Sequence, residues 1–243
     1  MLKRLTLSSN ALKIIACLSM LIDHAGLMLF PAQSWMRYVG RLAFPIFAFT
    51  ISEGCRYTKN KLKYFLLVFS FGVVCQIAYA VVYPNDIYLG ILITFSFSIL
   101  LIYSLEFLKK SLFEKSKPIN KISSIALFLS LVLFCYFFTL KVRVDYGFMG
   151  IMLPVICSLL DFRKIKNFEK VDKLIFKKIC FTLGVFLYFI QSDMQYLTVY
   201  CLLTIPLIFL YNGSKGRLRL KYCFYAFYPL HLLILAGLQL IMN

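Results

Sequence analysis

The sequence has little charge for its length, and acidic residues are the scarcest part of that charge. Only 15% of the 243 residues are charged, with 10 aspartates and glutamates against 27 lysines and arginines. Hydrophobic residues make up 61% of the chain, and the mean hydropathy is +0.83. A soluble globular protein typically has about a quarter of its residues charged. The shortage of charge excludes a soluble globule and predicts an integral membrane protein.

The sequence also lacks the alternation of polar and apolar residues that marks the strands of a membrane barrel. Its apolar runs are continuous, and in hydrocarbon every backbone amide must be paired within the chain, so helices are the predicted spanning element. No polar segment exceeds roughly fifteen residues, which is too short for an appended soluble domain. We therefore predict an all-α fold, a polytopic transmembrane helical bundle that forms a single domain over residues 1–243.

Apolar segments along the chain predict about nine membrane spans, within a range of about eight to ten. The sixth segment, YGFMGIMLPVICSLL, is short for roughly 30 Å of hydrocarbon and contains Gly147, Gly150 and Pro154, which predicts a kinked or partly spanning helix. The first segment lacks a small-residue cleavage pattern, which favours a retained helix over a signal peptide. The segments lie near residues 11–30, 35–54, 64–82, 87–106, 122–140, 146–161, 174–191, 195–211 and 222–242.

Lysine and arginine are distributed unequally between alternate loops. If the N-terminus is cytoplasmic, 22 of the 27 basic residues lie in inner segments, 4 lie in outer segments, and Lys13 lies near the inner end of the first helix. Because cytoplasmic loops are rich in lysine and arginine, this distribution predicts a cytoplasmic N-terminus and an outer C-terminus. It also accounts for most of the net charge of +17, and it favours contact with anionic membrane lipid or a phosphorylated cofactor over nucleic acid.

The eight cysteines include no Cys-x-x-Cys pair and are scattered, mostly through apolar segments. This pattern is typical of small buried hydrophobic residues and does not indicate a disulfide framework or a metal site. We therefore predict no bound metal. An acyl-cysteine intermediate at Cys17 stays open as an alternative.

Three polar residues interrupt the first apolar segment. Lys13 and His24 are eleven positions apart, which is about 20° from a whole number of helical turns and about 16 Å along the axis, so both point the same way. Asp23 projects about 100° away from His24 and cannot orient it within a straight helix. We therefore predict a separate partner for Asp23, either Arg41 or Arg37.

Ionisable residues also lie in other apolar segments. Arg37 and Arg41 are one turn apart, and Pro45 frees the backbone carbonyl of Arg41. The other candidates are Glu53 and Arg56 at the inner end of the second helix, Asp145 and Tyr146 at the outer end of the sixth segment, and His231 beside Pro229. Each such charge costs about 2.5–3.5 kcal/mol to insert and marks function by default. The structural alternative is an ion pair between Asp23 and Arg41 that locks the bundle, with His231 as an interhelical hydrogen-bonding residue.

The same residues carry a resemblance to a known family. The sequence resembles the TraX family, named for a conjugation protein that acetylates the N-terminus of F-type pilin, in the blocks LKIIACLSMLIDHAG, YVGRLAFPIFAFTISEGCRYTKNKLKY, DYGFMGIML and FYPLHLLIL. TraX proteins are similar in turn to a wider superfamily of integral-membrane acyltransferases, in which a basic residue of the first helix precedes a histidine by eleven positions. Lys13 and His24 have that spacing, with lysine where the wider group usually has arginine. Lysine lacks the bidentate fork that arginine offers to a phosphate.

The resemblance implies an acetyltransferase of a bacterial cell membrane, with acetyl-CoA as the donor. It implies an amine acceptor, or a hydroxyl, on a peptide, a glycan or a lipid, without requiring pilin. Under this interpretation CoA comes from the cytosol, and Lys13, Arg56 and Glu53 are the predicted donor-binding residues.

The implied chemistry assigns roles to the remaining candidates. His24 is the predicted general base, because an imidazole with an ordinary pKa of about 6.5 can take a proton from the acceptor at neutral pH. Arg41, with Tyr146 as a weaker candidate, supplies positive charge or a donor to the developing oxyanion. Asp23 and Asp145 are predicted to orient these groups, and His231 completes the predicted catalytic set.

Two other functions stay open at this point. Buried aspartate, histidine and arginine along one path also suit a small-molecule or proton-coupled membrane transporter, for which inverted repeats with paired broken helices would be the sign. We find no such repeat in the sequence. A non-catalytic assembly scaffold is the third possibility, but it leaves the intramembrane charges without a task.

Overall fold

The computed structural model describes residues 6–82, 88–165, 173–192, 194–217 and 220–242, and most of these are helical. The helices are α1 (Ser9–Met28), α2 (Ser34–Gly40), α3 (Ala43–Tyr57), α4 (Lys61–Val82), α5 (Ile91–Phe113), α6 (Pro118–Lys141), α7 (Gly147–Cys157), α8 (Leu174–Gln191), α9 (Gln195–Thr198), α10 (Thr204–Phe209) and α11 (Lys221–Met242), with a 3₁₀ helix at Val199–Leu203. Two short strands, β1 (Tyr88–Leu89) and β2 (Arg143–Val144), pair in parallel.

Six helices within the described ranges are long and apolar enough to cross a membrane, namely α1, α4, α5, α6, α8 and α11. Two shorter apolar stretches, Gly147–Cys157 and Gln195–Phe209, accompany them. Large apolar side chains such as Leu133, Phe137 and Leu240 are exposed on the long helices, as expected for surfaces that face lipid. The prediction of an all-α membrane bundle is confirmed at this level.

The chain divides into two compact units. The terminal unit comprises Met1–Thr50 and Val185–Asn243, and the central unit comprises Ile51–Gly184. The single domain predicted over residues 1–243 stays a prediction.

In the terminal unit, α1 packs against α2 and α11. Helix α1 begins after Ser8, whose hydroxyl oxygen accepts the backbone N–H of Ala11 at 3.3 Å as an N-cap. Immediately before it, Leu7 donates its N–H to the carbonyl of Leu210 at 2.8 Å and accepts the N–H of Asn212 at 3.0 Å. The start of α1 is therefore tied to the chain that follows α10.

The second predicted span is divided into two helices, which the sequence analysis did not anticipate. Helix α2 ends at Gly40 and α3 begins at Ala43. Pro45 has no N–H, so the carbonyl of Arg41 lacks a helical donor, and the thiol of Cys201 donates to it instead at 3.2 Å. Proline is tolerated in the first turn of a helix, so the break lies just before it.

In the central unit, α5 packs against α4, α6 and α7. Ser96, Ser98 and Ser104 are buried on α5, and their hydroxyls donate to carbonyls of the same helix. The Ser98 hydroxyl is also within 2.8 Å of the carbonyl of Ile151 on α7. Small residues of this kind allow helices in a membrane to approach closely and to hydrogen-bond to one another.

The sixth predicted segment forms the short helix α7. Its 11 residues extend about 16 Å, against roughly 30 Å of hydrocarbon. It begins with Gly147, directly after Tyr146. The φ angles of Tyr146 and Gly147 are 60° and 57°, and both lie in the left-handed region. This backbone turns the chain between β2 and α7, and the element is short, as predicted.

Candidate functional site

Helix α1 presents two of the predicted site residues to α11. The ammonium nitrogen of Lys13 lies 5.6 Å from the ring centre of Phe224. Farther along both helices, Nδ1 of His24 lies 2.7 Å from Nε2 of His231. Because the two contacts follow the same order along both helices, α1 and α11 run in the same direction. The first and last long helices therefore meet at the two histidines of the chain.

The two histidines form a hydrogen-bond chain with a defined direction. Nδ1 of His231 lies 2.8 Å from the carbonyl oxygen of Phe227. A carbonyl only accepts, so Nδ1 of His231 carries a proton, and its Nε2 is an acceptor when the ring is neutral. His24 must then donate to it from Nδ1, which leaves the lone pair of His24 on Nε2. The geometry makes Nε2 of His24 the basic atom and His231 the group that sets its tautomer.

Asp23 lies between two arginines of the neighbouring segment. Its Oδ1 is 2.9 Å from Nη1 of Arg37 and 3.6 Å from Nη2 of Arg41. Arg37 also donates to the backbone carbonyl of Asp23 at 3.3 Å, and Nε of Arg41 donates to the carbonyl of Arg37 at 3.3 Å. The side chains of Asp23 and Arg41 are each only 12% exposed. The predicted partner of Asp23 is thus both arginines, with the closer contact at Arg37.

Two glycines allow the close approach of α1 and α2 that this ion pair needs. A Cβ atom at Gly40 would lie 2.1 Å from Oδ1 of Asp23, and one at Gly26 would lie 2.7 Å from Cβ of Met36. Neither distance is sterically possible without movement. Gly40 is therefore part of the site, although it carries no reactive group.

Asp145 and Tyr146 belong to the central unit, at the turn between β2 and α7. The carboxylate of Asp145 accepts the phenol hydroxyl of Tyr88 at 2.5 Å, and its backbone carbonyl accepts the hydroxyl of Thr94 at 3.2 Å. Gln76 donates to the carbonyl of Tyr88 at 2.7 Å. These contacts hold β1 against β2 and the start of α7.

Glu53 and Arg56, the predicted donor-binding residues of α3, also lie in the central unit. Oε1 of Glu53 is 2.8 Å from the ammonium nitrogen of Lys177, and Nη1 of Arg56 is 3.6 Å from Oδ1 of Asp161. The side chains of Glu53 and Lys177 are 4% and 1% exposed. Both predicted residues are therefore buried in ion pairs.

Several of these partners are not predicted by the sequence. The sequence marks both histidines but does not indicate their contact, and Lys177, one of the 22 basic residues counted in inner segments, is buried in α8. A lysine that interrupts the apolar run over residues 174–191 is the same signal that identified Asp23 and His24. The same criterion, an ionisable residue inside an apolar segment, also identifies Lys177 as a candidate.

The chain is similar to proteins of one family over nearly its whole length. The family model described as TraX protein matches residues 8–239. The "Probable fimbrial assembly protein FimC, serogroup H1" of Dichelobacter nodosus is 26% identical over 263 residues, covering 100% of both chains. The "Uncharacterized protein RP591" of Rickettsia prowazekii is 34% identical over 85 residues, which cover 35% of this chain and 32% of that protein. No solved structure matches the chain.

Proposed function

The chain belongs to the TraX protein family, and from this membership we propose that it is an integral-membrane acetyltransferase. The proposed reaction moves an acetyl group from cytosolic acetyl-CoA to an amine, or to a hydroxyl, at or across the cell membrane of a bacterium. The relative named as a fimbrial assembly protein supports an acceptor at the N-terminus of a peptide or pilin subunit. Glycans and lipids are the other acceptor classes.

The observation that carries the proposal is the direction of the His24–His231 hydrogen bond. As the amine nitrogen attacks the thioester carbonyl, Nε2 of His24 takes the amine proton, and the new C–N bond forms. The C–S bond then breaks, and the proton returns to the departing CoA thiolate, so His24 is neutral again. His231 and the Phe227 carbonyl stabilise the intervening imidazolium because the hydrogen bond from Nδ1 of His24 is kept throughout.

The arginines of α2 and of the turn after it supply positive charge beside the base. Arg41 lies within 3.6 Å of the carboxylate of Asp23, the residue that precedes His24 in α1. A half-buried guanidinium near the reacting carbonyl would stabilise the negative charge that develops on its oxygen. Asp23 holds Arg41 and Arg37 in place and has no role in orienting His24.

The topology that we propose has nine spans, an inner N-terminus and an outer C-terminus. The charge distribution supports this orientation, and the parallel contact of α1 with α11 requires an odd number of spans when both cross the membrane. The six long helices supply six spans. The pair α2–α3, the short helix α7 and the stretch from α9 to α10 would supply the other three.

The proposed function is tested by replacing the base. His24→Ala and His24→Gln should each lower transfer of labelled acetyl from acetyl-CoA to acceptors in purified membranes by about a hundredfold or more, because general-base catalysis is lost. Leu18→Ala, on the exposed side of the same helix, is the matched control and should keep full activity. Activity of His24→Gln within threefold of the unmodified protein would remove His24 from the reaction.

A proton-coupled transporter is the alternative, since the same histidine chain could pass a proton. Detergent micelles contain no compartments and so cannot support transport. Acetyl transfer that persists in micelles and depends on His24 would exclude a purely transporting role, whereas a His24-dependent solute flux in vesicles without any acetyl transfer would favour it.

A further inference from the structure

The central unit gathers ionisable side chains at the ends of four of its helices and in the chain that follows a fifth. Helices α3 and α5 contribute from their C-terminal ends, α4 and α8 contribute from their first turns, and the chain after α7 contributes two more residues. This ion cluster consists of Glu53, Arg56, Lys61, Glu106, Lys109, Lys110, Asp161, Lys164 and Lys177. Its six cations exceed its three carboxylates, which favours an anionic ligand.

Several ion pairs of the cluster are long. Asp161 lies 3.6 Å from Arg56 and 3.7 Å from Lys177, and Glu106 lies 3.4 Å from Lys164. Charge-assisted hydrogen bonds between nitrogen and oxygen are about 2.7–2.9 Å long. Asp161 therefore holds both of its cations loosely. Glu106 contacts Lys61 more closely, at 3.1 Å, and its longer contact is with Lys164. A better-placed oxyanion could compete for Arg56 and Lys164.

Two ammonium groups of the cluster are fixed by backbone carbonyls. Lys109 donates to the carbonyl oxygens of Ser158 at 2.6 Å and Asp161 at 3.0 Å, and Lys164 donates to that of Cys55 at 2.9 Å. An ammonium group has three N–H donors, so each lysine can keep these contacts while it donates to a further acceptor. Lys109 is 7% exposed, and both nitrogens are positioned before any ligand arrives.

A cavity that is partly open to solvent lies among these donors. Its polar lining consists of Arg56, Glu106, Lys109, Ser158, Asp161 and Lys164. An arginine fork together with lysine ammonium groups is the donor set that proteins use for tetrahedral phosphate groups. When a ligand is bound, its oxygens would replace the carboxylates of the cavity as acceptors of these hydrogen bonds.

We propose that this cavity binds a phosphate group, with Arg56, Lys109 and Lys164 as its donors. A phosphorylated soluble ligand and a phospholipid headgroup present the same chemistry to these residues. The inference concerns binding by the central unit and does not depend on the proposed acetyl transfer, because no step of that reaction is needed to observe it.

The test is a titration of the purified full-length protein in detergent with inorganic phosphate and with CoA, followed by calorimetry. Arg56→Gln and Lys164→Gln should each weaken binding by about tenfold or more, the loss expected for one hydrogen bond to a charged group. Lys59→Gln and Lys63→Gln, at exposed lysines outside the cavity lining, are the matched controls and should leave binding unchanged.

The acidic residues provide a test with the opposite sign. Asp161→Asn and Glu106→Gln should tighten binding of the same probes, because each removes a carboxylate that competes for the donors. A purely structural ion cluster predicts no such gain. Size-exclusion profiles of all variants check folding. One folded variant, from either the basic or the acidic residues, is sufficient to test the proposed phosphate site.

A parallel measurement distinguishes the two sources of phosphate. The protein is placed in nanodiscs of phosphatidylcholine with or without phosphatidylglycerol, and its thermal stability is compared. Stabilisation by phosphatidylglycerol that Arg56→Gln abolishes, without binding of the soluble probes, would assign the cavity to a lipid headgroup. The proposal is wrong if neither probe class binds, or if the two control lysines matter as much as Arg56 and Lys164.

Discussion

At the residue scale, the proposed chemistry depends on which nitrogen of His24 carries the proton. The residue beside it in the chain, Asp23, is occupied by two arginines and has no part in that choice. The protonated nitrogen of His24 is set by its hydrogen bond to His231, which is 207 positions away, and by the carbonyl to which His231 donates. His231 would position His24 as the carboxylate of a hydrolase triad positions its histidine, but a neutral imidazole, unlike a carboxylate, carries no charge.

Replacement of His231 tests this positioning role. A glutamine can accept from His24 through its carbonyl oxygen and donate through its amide nitrogen, whereas a leucine can do neither. We expect His231→Leu to lower kcat for acetyl transfer by about tenfold to a hundredfold and His231→Gln to recover part of the loss, with KM for acetyl-CoA little changed. Equal activity of the two variants would show that His231 contributes packing alone.

The ion pair at Asp23 makes a second prediction at this scale. In double-mutant cycles, Asp23→Asn should couple to Arg37→Gln by about 1–3 kcal/mol of unfolding free energy, and less strongly to Arg41→Gln. The reason is that Arg37 is at 2.9 Å and Arg41 at 3.6 Å from the same oxygen. A single substitution leaves a half-buried charge unpaired. The double substitution should therefore lower the unfolding free energy by less than the sum of the two single substitutions. Unfolding in detergent gives the stabilities, and strictly additive values for both pairs would contradict the arrangement.

At the element scale, the site depends on how closely α2 approaches α1. The two helices meet at Gly26 and Gly40, and the break after α2 follows from Pro45 and the freed carbonyl of Arg41. Arg37, in α2, and Arg41, just after its end, both reach one carboxylate. The absence of a side chain at Gly40 therefore permits the ion pairs of Asp23 with the two arginines.

A methyl group at Gly40 should separate the two helices. Gly40→Ala places Cβ 2.1 Å from Oδ1 of Asp23, so we expect a loss of about 1–3 kcal/mol in unfolding free energy. Gly237→Ala in α11 is the matched control, because a Cβ atom there meets nothing within 4 Å. Alanine is about 1 kcal/mol more favourable than glycine inside a helix, so this control should be neutral or stabilising. Thermal unfolding in detergent compares the two, and equal melting temperatures would remove the close approach from the account.

At the scale of the whole molecule, the orientation in the membrane determines which pools of substrate each site can reach. With an inner N-terminus, Lys13 lies toward the cytosol and His24 lies about 16 Å farther along α1. A donor from the cytosol and an acceptor from the outer side could then meet at the same base. The opposite orientation would place the basic loops outside and remove the supply of acetyl-CoA.

Thiol labelling in a cysteine-free background tests the orientation. A cysteine that replaces Ser192, between α8 and α9, should react with an impermeant thiol reagent added to intact cells. A cysteine that replaces Ser116, between α5 and α6, should react only after the membrane is permeabilised. The reversed pattern would overturn both the orientation and the cytosolic entry of the donor.

The amino-acid sequence by itself determined that the chain is a helical membrane protein, and it located several of the ionisable residues that are costly to bury, although not Lys177. Both follow from local properties, because apolar length sets a span and each intramembrane charge stands out against its neighbours. The TraX resemblance also depends on local blocks, and the family match over residues 8–239 confirms it.

The partners of those residues were decided only by the tertiary structure. The spacing of Lys13 and His24 indicated a common face, but no local pattern relates His24 to His231 or Lys177 to Glu53, since each pair joins segments far apart in the chain. The sequence could assign Asp23 to either arginine, but its contact with both is seen only in the tertiary structure, because it depends on how closely α2 packs against α1. Helix periodicity states which way a side chain points, whereas the packing of distant helices determines what it meets.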